Sequence, residues 1–429
     1  MTQQIRSRIE QIRRGEIPNG YKKTEVGIVP VEWDEIKLSD VLKKQKNKNN
    51  DNKIHNILTN SATQGIVNQI DYFEKQIAND DNTSNYYLVF NGCFVYNPRI
   101  STSAPCGPFN RYSGQEPGIM SPLYDVYVFV GKSQSYSDFL SLYFSSSKWH
   151  SYMNNIANYG ARSDRMNVTS EAMNKMPLPL PPLPEQKKIA EILETQDRVI
   201  ELCEKKIEQL KKLKNVFLQK MFPKPGSTVP EWRFPEFKED WEQRKFNEIY
   251  EKNDERNEGQ FSWDKTISIS SMTFNENGNG ASDESLASYK VLRIGDVAFE
   301  GHTSKEYRYG RFVLNDLENG IMSPRFTTLR PIVDQDYDFW KYYIHDERVM
   351  RSKLVNSTKA GTMMNELVID DLFKQDILVP AIDEQRKIGL ALRNIDNLIT
   401  LHQRKCDEEK QKKKALMQLL LTGIVRVKV

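Results

Sequence analysis

The chain is written twice, and that duplication limits its possible folds more than any other feature. Pro181-Pro182-Leu183-Pro184-Glu185-Gln186-Lys187-Lys188-Ile189 aligns without a gap on Pro380-Ala381-Ile382-Asp383-Glu384-Gln385-Arg386-Lys387-Ile388, 199 residues further on. The match continues through Leu193/Leu392, Asp197/Asp396, Ile200/Ile399, Leu202/Leu401 and Lys214/Lys413. Upstream, Gly118-Ile119-Met120-Ser121-Pro122 recurs as Gly320-Ile321-Met322-Ser323-Pro324, and Trp33-Asp34-Glu35-Ile36-Lys37-Leu38 resembles Trp241-Glu242-Gln243-Arg244-Lys245-Phe246. Three matches in the same order, at slightly different offsets, describe two related units separated by unequal loop insertions.

Each unit ends in a helical tail. Positions 189, 193, 196, 200, 203, 207, 210, 214, 217 and 221 alternate steps of four and three and are apolar except for Gln196 and Lys214. The equivalent positions 388 to 420 are apolar except for His402, Glu409 and Lys413. A 3.5-residue apolar repeat of this length predicts a coiled-coil seam, and two matched seams in one chain predict that each tail packs on the other, the polar intrusions setting register. Pro223-Lys224-Pro225-Gly226 and Gly423 supply the stops. The bodies read as mixed α and β. Tyr86–Phe90, Cys93–Tyr96, Tyr124–Val130, Ile267–Ser270 and Val297–Phe299 have strand composition. Ser137–Tyr152 and Tyr337–Leu354 have helical character, and Asn-rich loops follow at Asn154–Asn167 and Asn356–Asn365. Trp33 and Trp241 are expected as core anchors.

The chain shows little of what an enzyme would need. Its 429 residues contain no phosphate loop, no His-x-x-x-His and no Gly-x-Ser-x-Gly. Asn97-Pro98-Arg99-Ile100 lacks the second proline and the aromatic of an adenine-methyltransferase motif, and reads as a strand-ending turn. Gly278-Asn279-Gly280 reads as a turn, and the acidic pairs Asp80-Asp81 and Asp370-Asp371 as turn or capping residues. Four cysteines lie far apart and offer neither a disulfide framework nor, with five scattered histidines, a zinc cluster. No run approaches the eighteen or so apolar residues of a membrane span, and the N-terminus has no secretory signal, so a cytoplasmic chain without membrane association is expected. A net charge of +3 does not decide for or against nucleic acid.

Organisation argues for it. Phosphate contacts use Lys, Arg, Ser and Thr, and base readout uses Arg, Lys, Asn, Gln and aromatics on placed loops. The candidate DNA-binding residues are Arg99, Ser101, Asn110, Arg111, Tyr112, Asn158, Tyr159, Arg162 and Arg165 in the first body. The second offers His302, Lys305, Tyr307, Arg308, Arg311, Lys359 and Thr362. Position by position a solvated loop is the plainer reading. As a set, their recurrence at matching places in both bodies fits a shared binding task.

Tyr21-Lys22-Lys23-Thr24-Glu25-Val26-Gly27-Ile28-Val29-Pro30 with Trp33, the repeated Gly-Ile-Met-Ser-Pro, and Leu178 through Ile189 resemble the specificity subunits of type I restriction-modification systems, as does the basic C-terminal helix ending Leu419-Leu420-Leu421-Thr422-Gly423. The resemblance spans essentially the whole chain. The second copy of the Leu-Pro-x-x-x-Glu-Gln-x-x-Ile motif departs from the pattern as Val379-Pro380-Ala381-Ile382-Asp383-Glu384-Gln385. It implies an α+β fold: two repeated mixed α/β target-recognition domains separated by two long antiparallel coiled-coil helices in pseudo-two-fold arrangement. The expected division is an N-terminal helical segment (1–20), a first recognition domain (21–178), a first spacer helix (179–224), a second recognition domain (225–377), and a second spacer helix with C-terminal tail (378–429). It further implies a non-catalytic reader of double-stranded DNA, each domain reading half of a bipartite target. Two methylation subunits would dock on the helices and restriction/translocase subunits would join them. S-adenosylmethionine, ATP and magnesium are expected in those partners, with no cofactor or metal in this chain. The alternative is a coiled-coil scaffold or adaptor without a DNA role, and a nuclease acting alone is disfavoured by the missing catalytic cluster.

Overall fold

In the computed structural model the described residues are 3–73, 83–159, 164–275, 282–361 and 364–428, without the side chains of Ser135, Tyr159 and Asp283. The fold is α+β. Two compact units divide the chain: residues Met1–Leu202 with Cys406–Val429, and residues Cys203–Lys405. Both long helices, Leu183–Met221 and Ile382–Leu420, are shared between the units, so each unit holds half of each.

The bodies repeat one sheet. In the first unit Leu42–Lys44, Asp125–Phe129, Phe94–Tyr96 and Phe109–Arg111 pair antiparallel in that order. In the second, Tyr250–Lys252, Thr327–Pro331, Val297–Glu300 and Arg311–Leu314 do the same. The shared Gly-Ile-Met forms a neighbouring strand, Gly118–Met120 or Gly320–Met322, fully buried in both units. Its glycine has a packing reason. A Cβ on Gly118 would lie 2.4 Å from Leu58 Cδ1, and one on Gly320 would lie 2.6 Å from the Lys265 carbonyl oxygen.

The two ends of each body are zipped together. Asp34–Lys37, which follows Trp33, pairs antiparallel with Pro177–Leu180, the strand that leads into the first long helix. Glu242–Lys245, after Trp241, pairs with Asp376–Val379 before the second. Trp33 and Trp241 are buried, as core anchors should be.

The expected single helices are each broken in two. Gln134–Phe144 is followed by His150–Ile156, and Tyr337–Tyr343 by Glu347–Ser357. Local polar groups cause the breaks. The hydroxyls of Ser145 and Ser146 donate back to the carbonyls of Leu142 and Tyr143, while the Asp346 carboxylate accepts from Arg348 N and starts a new helix. The Asn-rich stretches are not plain loops either. They carry small hairpins, Asn158–Tyr159 on Met166–Asn167 and Thr358–Lys359 on Glu366–Leu367.

All ten seam positions of each long helix are buried or half-buried. In the first unit, the Gln196 amide donates to Glu409 Oε2 at 2.6 Å and Lys413 pairs with Asp197. In the second, the duplicated pair recurs as Lys214 with Asp396 at 2.8 Å. Of the polar intrusions expected to set register, Gln196, Lys214 and Lys413 thus make cross-helix polar ties. Gly389, the lone glycine within the helices, admits a close neighbour: a Cβ there would lie 2.7 Å from Phe339 N.

The Glu of each Glu-Gln motif is almost sealed from water, with 2% of the Glu185 side chain and 1% of the Glu384 side chain exposed. An uncompensated carboxylate there would cost several kcal/mol. Each is held by an arginine that follows the end of the other long helix. Arg426 donates to both Glu185 oxygens at 2.7 and 2.9 Å, joined by Trp33 Nε1 at 2.8 Å. Arg233 donates to both Glu384 oxygens at 2.8 Å. With Asp197–Lys413 further along, these contacts make the helix halves antiparallel within the first unit. In the second, Met221 shares a core with Ile388 and Leu392 to the same effect.

Arg233→Met should strand the Glu384 carboxylate and destabilise the second unit by about 3–5 kcal/mol in urea unfolding, and Arg233→Met with Glu384→Leu should recover most of the loss. Equal stability of the single variant and the wild type would show that the pair does not clamp the helix start.

Candidate nucleic-acid interface

In both units the chain leaving the third strand of the sheet order docks on the small hairpin. In the first unit that strand is followed by Asn97, whose Oδ1 accepts from Arg99 N at 3.0 Å while its amide donates to the Asn60 carbonyl at 3.1 Å. Met166 N then donates to the Pro98 carbonyl at 2.9 Å and Ile100 N to the Asp164 carbonyl at 3.0 Å, and Arg99 and Arg165 form a β-bridge. In the second unit Asn365 N donates to the Gly301 carbonyl at 2.8 Å, the counterpart of the Met166–Pro98 bond, and the Asn365 amide donates to the Arg308 carbonyl at 3.2 Å. The same platform is built twice from different residues.

The first platform gathers Arg99, Ser101, Asn158, Arg165 and the backbone of Tyr159. The second gathers His302, Lys305, Arg308 and Lys359. Arg162 and Thr362 lie outside the described residues, as do Asp80-Asp81 and Gly278-Asn279-Gly280. Ser101 shapes its own loop: its Oγ accepts from Ala104 N at 3.1 Å and lies 3.2 Å from Ser103 Oγ. Asp370 and Asp371 occupy the first turn of a short helix, Ile369–Phe373.

The loop reading of Asn110, Arg111 and Tyr112 is corrected by the structure. Phe109–Arg111 is the edge strand of the sheet, and its polar side chains are already bound. The Asn110 amide donates to Asn60 Oδ1 at 2.7 Å, Arg111 pairs with Asp138 at 2.5 Å, and Tyr112 is buried with its hydroxyl donating to the Glu116 carbonyl at 2.7 Å. Arg311 likewise opens a strand rather than sitting in a loop. It pairs with Glu300 at 2.6 Å and lies over the Tyr307 ring at 5.2 Å. These residues brace the platforms. Arg165, Lys305, Arg308 and Lys359 have no carboxylate partner among the described residues, and Arg99 has only a loose 3.8 Å approach to Asp164 at an exposed site. Cations left free in this way suit a polyanionic partner.

The sequence reading missed Asn60. Its buried amide donates to the carbonyls of Val95 and Pro108 at 2.8 and 3.1 Å, joining two segments of the first body beneath the platform. Its place after Ile57-Leu58-Thr59, in a short run of strand composition, was the available signal.

Tyr307 is oriented from below by His345. The Phe312 carbonyl can only accept, so His345 Nδ1, 3.0 Å away, carries a proton and donates to it. Burial pulls the imidazole pKa below its usual value of 6.5, so the ring is neutral and Nε2 accepts from the Tyr307 hydroxyl at 2.9 Å. Among the described residues no group of His, Cys, Asp and Glu has the makings of a metal site, and no helix is long and apolar enough to cross a membrane.

Each unit thus follows one plan, a sheet body joined to halves of the two long helices. Residues 30–212 match the family model of the type I restriction modification DNA specificity domain. Over 95% of its length the chain is 26% identical to a Methanocaldococcus jannaschii protein assigned as the type I restriction enzyme MjaX specificity subunit, of which it covers 97%. It is 28% identical over 285 residues to the type I restriction enzyme MjaVIII specificity subunit of the same organism, covering 61% of this chain and 65% of that one. In a solved type I R-M system, a chain superposes with a TM-score of 0.54 at 17% identity, covering 92% of this chain and 99% of that one, a likeness of fold. Over most of its length the chain is thus similar to specificity subunits of type I restriction-modification systems, and the family model matches residues 30–212.

The neutral His345 makes acid destabilising. Its folded pKa lies below the unfolded 6.5, so as pH falls through 6.5 the unfolded state takes up the proton first and stability declines. His345→Gln, which can still donate to Phe312 and accept from Tyr307, should lose less stability than the wild type between pH 7 and pH 5.5 in urea unfolding. Parallel declines in the two proteins would refute the assignment.

Proposed function

We propose that this chain is the non-catalytic reader of a type I restriction-modification complex, each body recognising one half of a bipartite duplex target. The observation that carries the reading is the twice-built platform. One backbone bond, Met166–Pro98 or Asn365–Gly301, presents different polar side chains in each unit, and free cations surround it. A shared scaffold with different tips is what recognition of two unlike half-sites requires, the cations holding phosphates while other side chains reach base edges.

The long helices would dock two methylation subunits. Leu202 and Leu401, equivalent in the duplication, are 66% and 61% exposed and lie off the seam, an apolar presentation with no use inside either unit. In this reading, methylation subunits bring S-adenosylmethionine, restriction/translocase subunits bring ATP and magnesium, and the complex works on DNA in the cytoplasm.

In cells making the chain with its methylation subunits, genome-wide mapping should show adenine methylation at one asymmetric bipartite motif that vanishes when this chain is removed. An unchanged methylation map would overturn the reading. Separately, Leu202→Glu with Leu401→Glu should cut recovery of methylation subunits on affinity purification by about tenfold or more at unchanged melting temperature. Undiminished recovery would move the docking surface elsewhere.

A further inference from the structure

The repeated Gly-Ile-Met-Ser-Pro is followed by different residues, Leu123 in the first unit and Arg325 in the second. The shared residues build the same stem twice. Glycine admits the neighbouring strand, and the isoleucine and methionine are fully buried in both units. Ser-Pro opens a β-turn closed by Tyr124 N to the Ser121 carbonyl at 3.0 Å, and by Phe326 N to the Ser323 carbonyl at 3.2 Å. Proline at the second turn position fixes its own φ.

The fourth turn residue ties the stem down in each unit. Tyr124 packs on the cluster around Met120, with its hydroxyl 3.1 Å from Thr59 Oγ1. Phe326 packs on the cluster around Met322, and its carbonyl accepts from the buried Lys290 ammonium at 3.1 Å. A variable side chain is therefore held at the third position of a rigid turn. Leu123 is 59% exposed there, and Arg325 is exposed with no hydrogen-bond or ion-pair partner among the described residues. Arg325 also borders a cavity of about 470 Å³ together with Phe299, Phe326, Asn365 and Glu366. Asn365 is the residue that locks the second platform, so this turn is part of that platform.

A structural turn would tolerate one residue type in both units, and a phosphate contact would call for a cation in both. An identical stem carrying an apolar tip in one unit and a guanidinium in the other fits the reading of two different base pairs. Arginine pairs bidentately with guanine O6 and N7 in the major groove, and an apolar side chain packs on the thymine methyl. We propose that the residue after each Gly-Ile-Met-Ser-Pro turn is a specificity-determining contact: Arg325 reads a guanine in the half-site of the second unit, and Leu123 a thymine methyl in that of the first. This rests on the DNA reading given above.

The test is selection of bound duplexes from a random-sequence DNA library by the full chain assembled with its methylation subunits. Wild type should enrich a bipartite motif; enrichment of none would overturn DNA reading itself and this inference with it. Given a wild-type motif, Arg325→Leu should lose preference for guanine at one base pair of one half by about ten- to a hundredfold, leaving the other half intact. Arg325→Gln, which keeps a polar side chain, should lose the same guanine preference. Leu123→Ala should lose a thymine preference severalfold in the opposite half. An unaltered motif, a change in both halves from one substitution, or uniform weakening across all sequences would each overturn the assignment while leaving DNA reading in place.

Discussion

A buried carboxylate at the start of each long helix governs how the rest of the chain must close. Glu185 and Glu384 sit where water cannot solvate them, and each needs a cation delivered from far along the sequence. Arg426 and Arg233 come from segments that follow the opposite helix, so neither helix start is complete until the other helix has ended beside it. The adjoining glutamines extend the arrangement. Gln186 and Gln385 donate to the carbonyls of Pro181 and Pro380 at 2.7 and 3.0 Å, holding the proline-led entry in place. One indole completes each start, by different routes: Trp33 donates to Glu185, and Trp340 donates to Gln385 Oε1 at 3.1 Å.

Those routes show which parts of the fold were legible in the sequence. The duplication, the long helices and their seam follow from periodicity, which a chain reports locally. The buried tryptophans and the central strands were visible for the same reason. The arginine partners were not. Arg426 lies six residues past Leu420, whereas Arg233 lies twelve past Met221, so no repeat offset relates them. The broken helices were missed because serine hydroxyls and an aspartate cap compete with the backbone on a scale that apolar periodicity does not register.

The candidate site was legible in outline for a related reason. Composition marks residues able to contact DNA, but the same residue types brace loops. Arg111 and Arg311 look no different in sequence from Arg165 and Arg308, yet the first two face carboxylates at hydrogen-bond distance and the latter two do not. Alternation gave a partial clue, since Arg111 and Arg311 belong to short strands whose neighbours Phe109 and Phe312 are buried. What separates a bracing arginine from a free one is the presence of an acid across a sheet or on a neighbouring helix. That is a tertiary fact.

Two copies of one sheet in one chain also carry a folding hazard, because a strand of one body could pair into the other. The cores have diverged at a place that opposes this. In the first unit Cys93 and Val128 belong to an apolar cluster. In the second, the equivalent positions are Asp296 and Arg330, joined at 2.8 Å and extended by Glu255, which accepts from Arg330 at 2.7 Å. Strand Thr327–Pro331 placed in the first sheet would set the Arg330 guanidinium against Cys93 with no acid to meet it. The reverse exchange would strand the Asp296 carboxylate, 1% exposed, beside valine. Either error leaves an unpaired charge in a low-dielectric core, at a cost of several kcal/mol. An apolar pair holds the same place in the first unit, so the ion network marks a point at which the strands of the two bodies do not interchange.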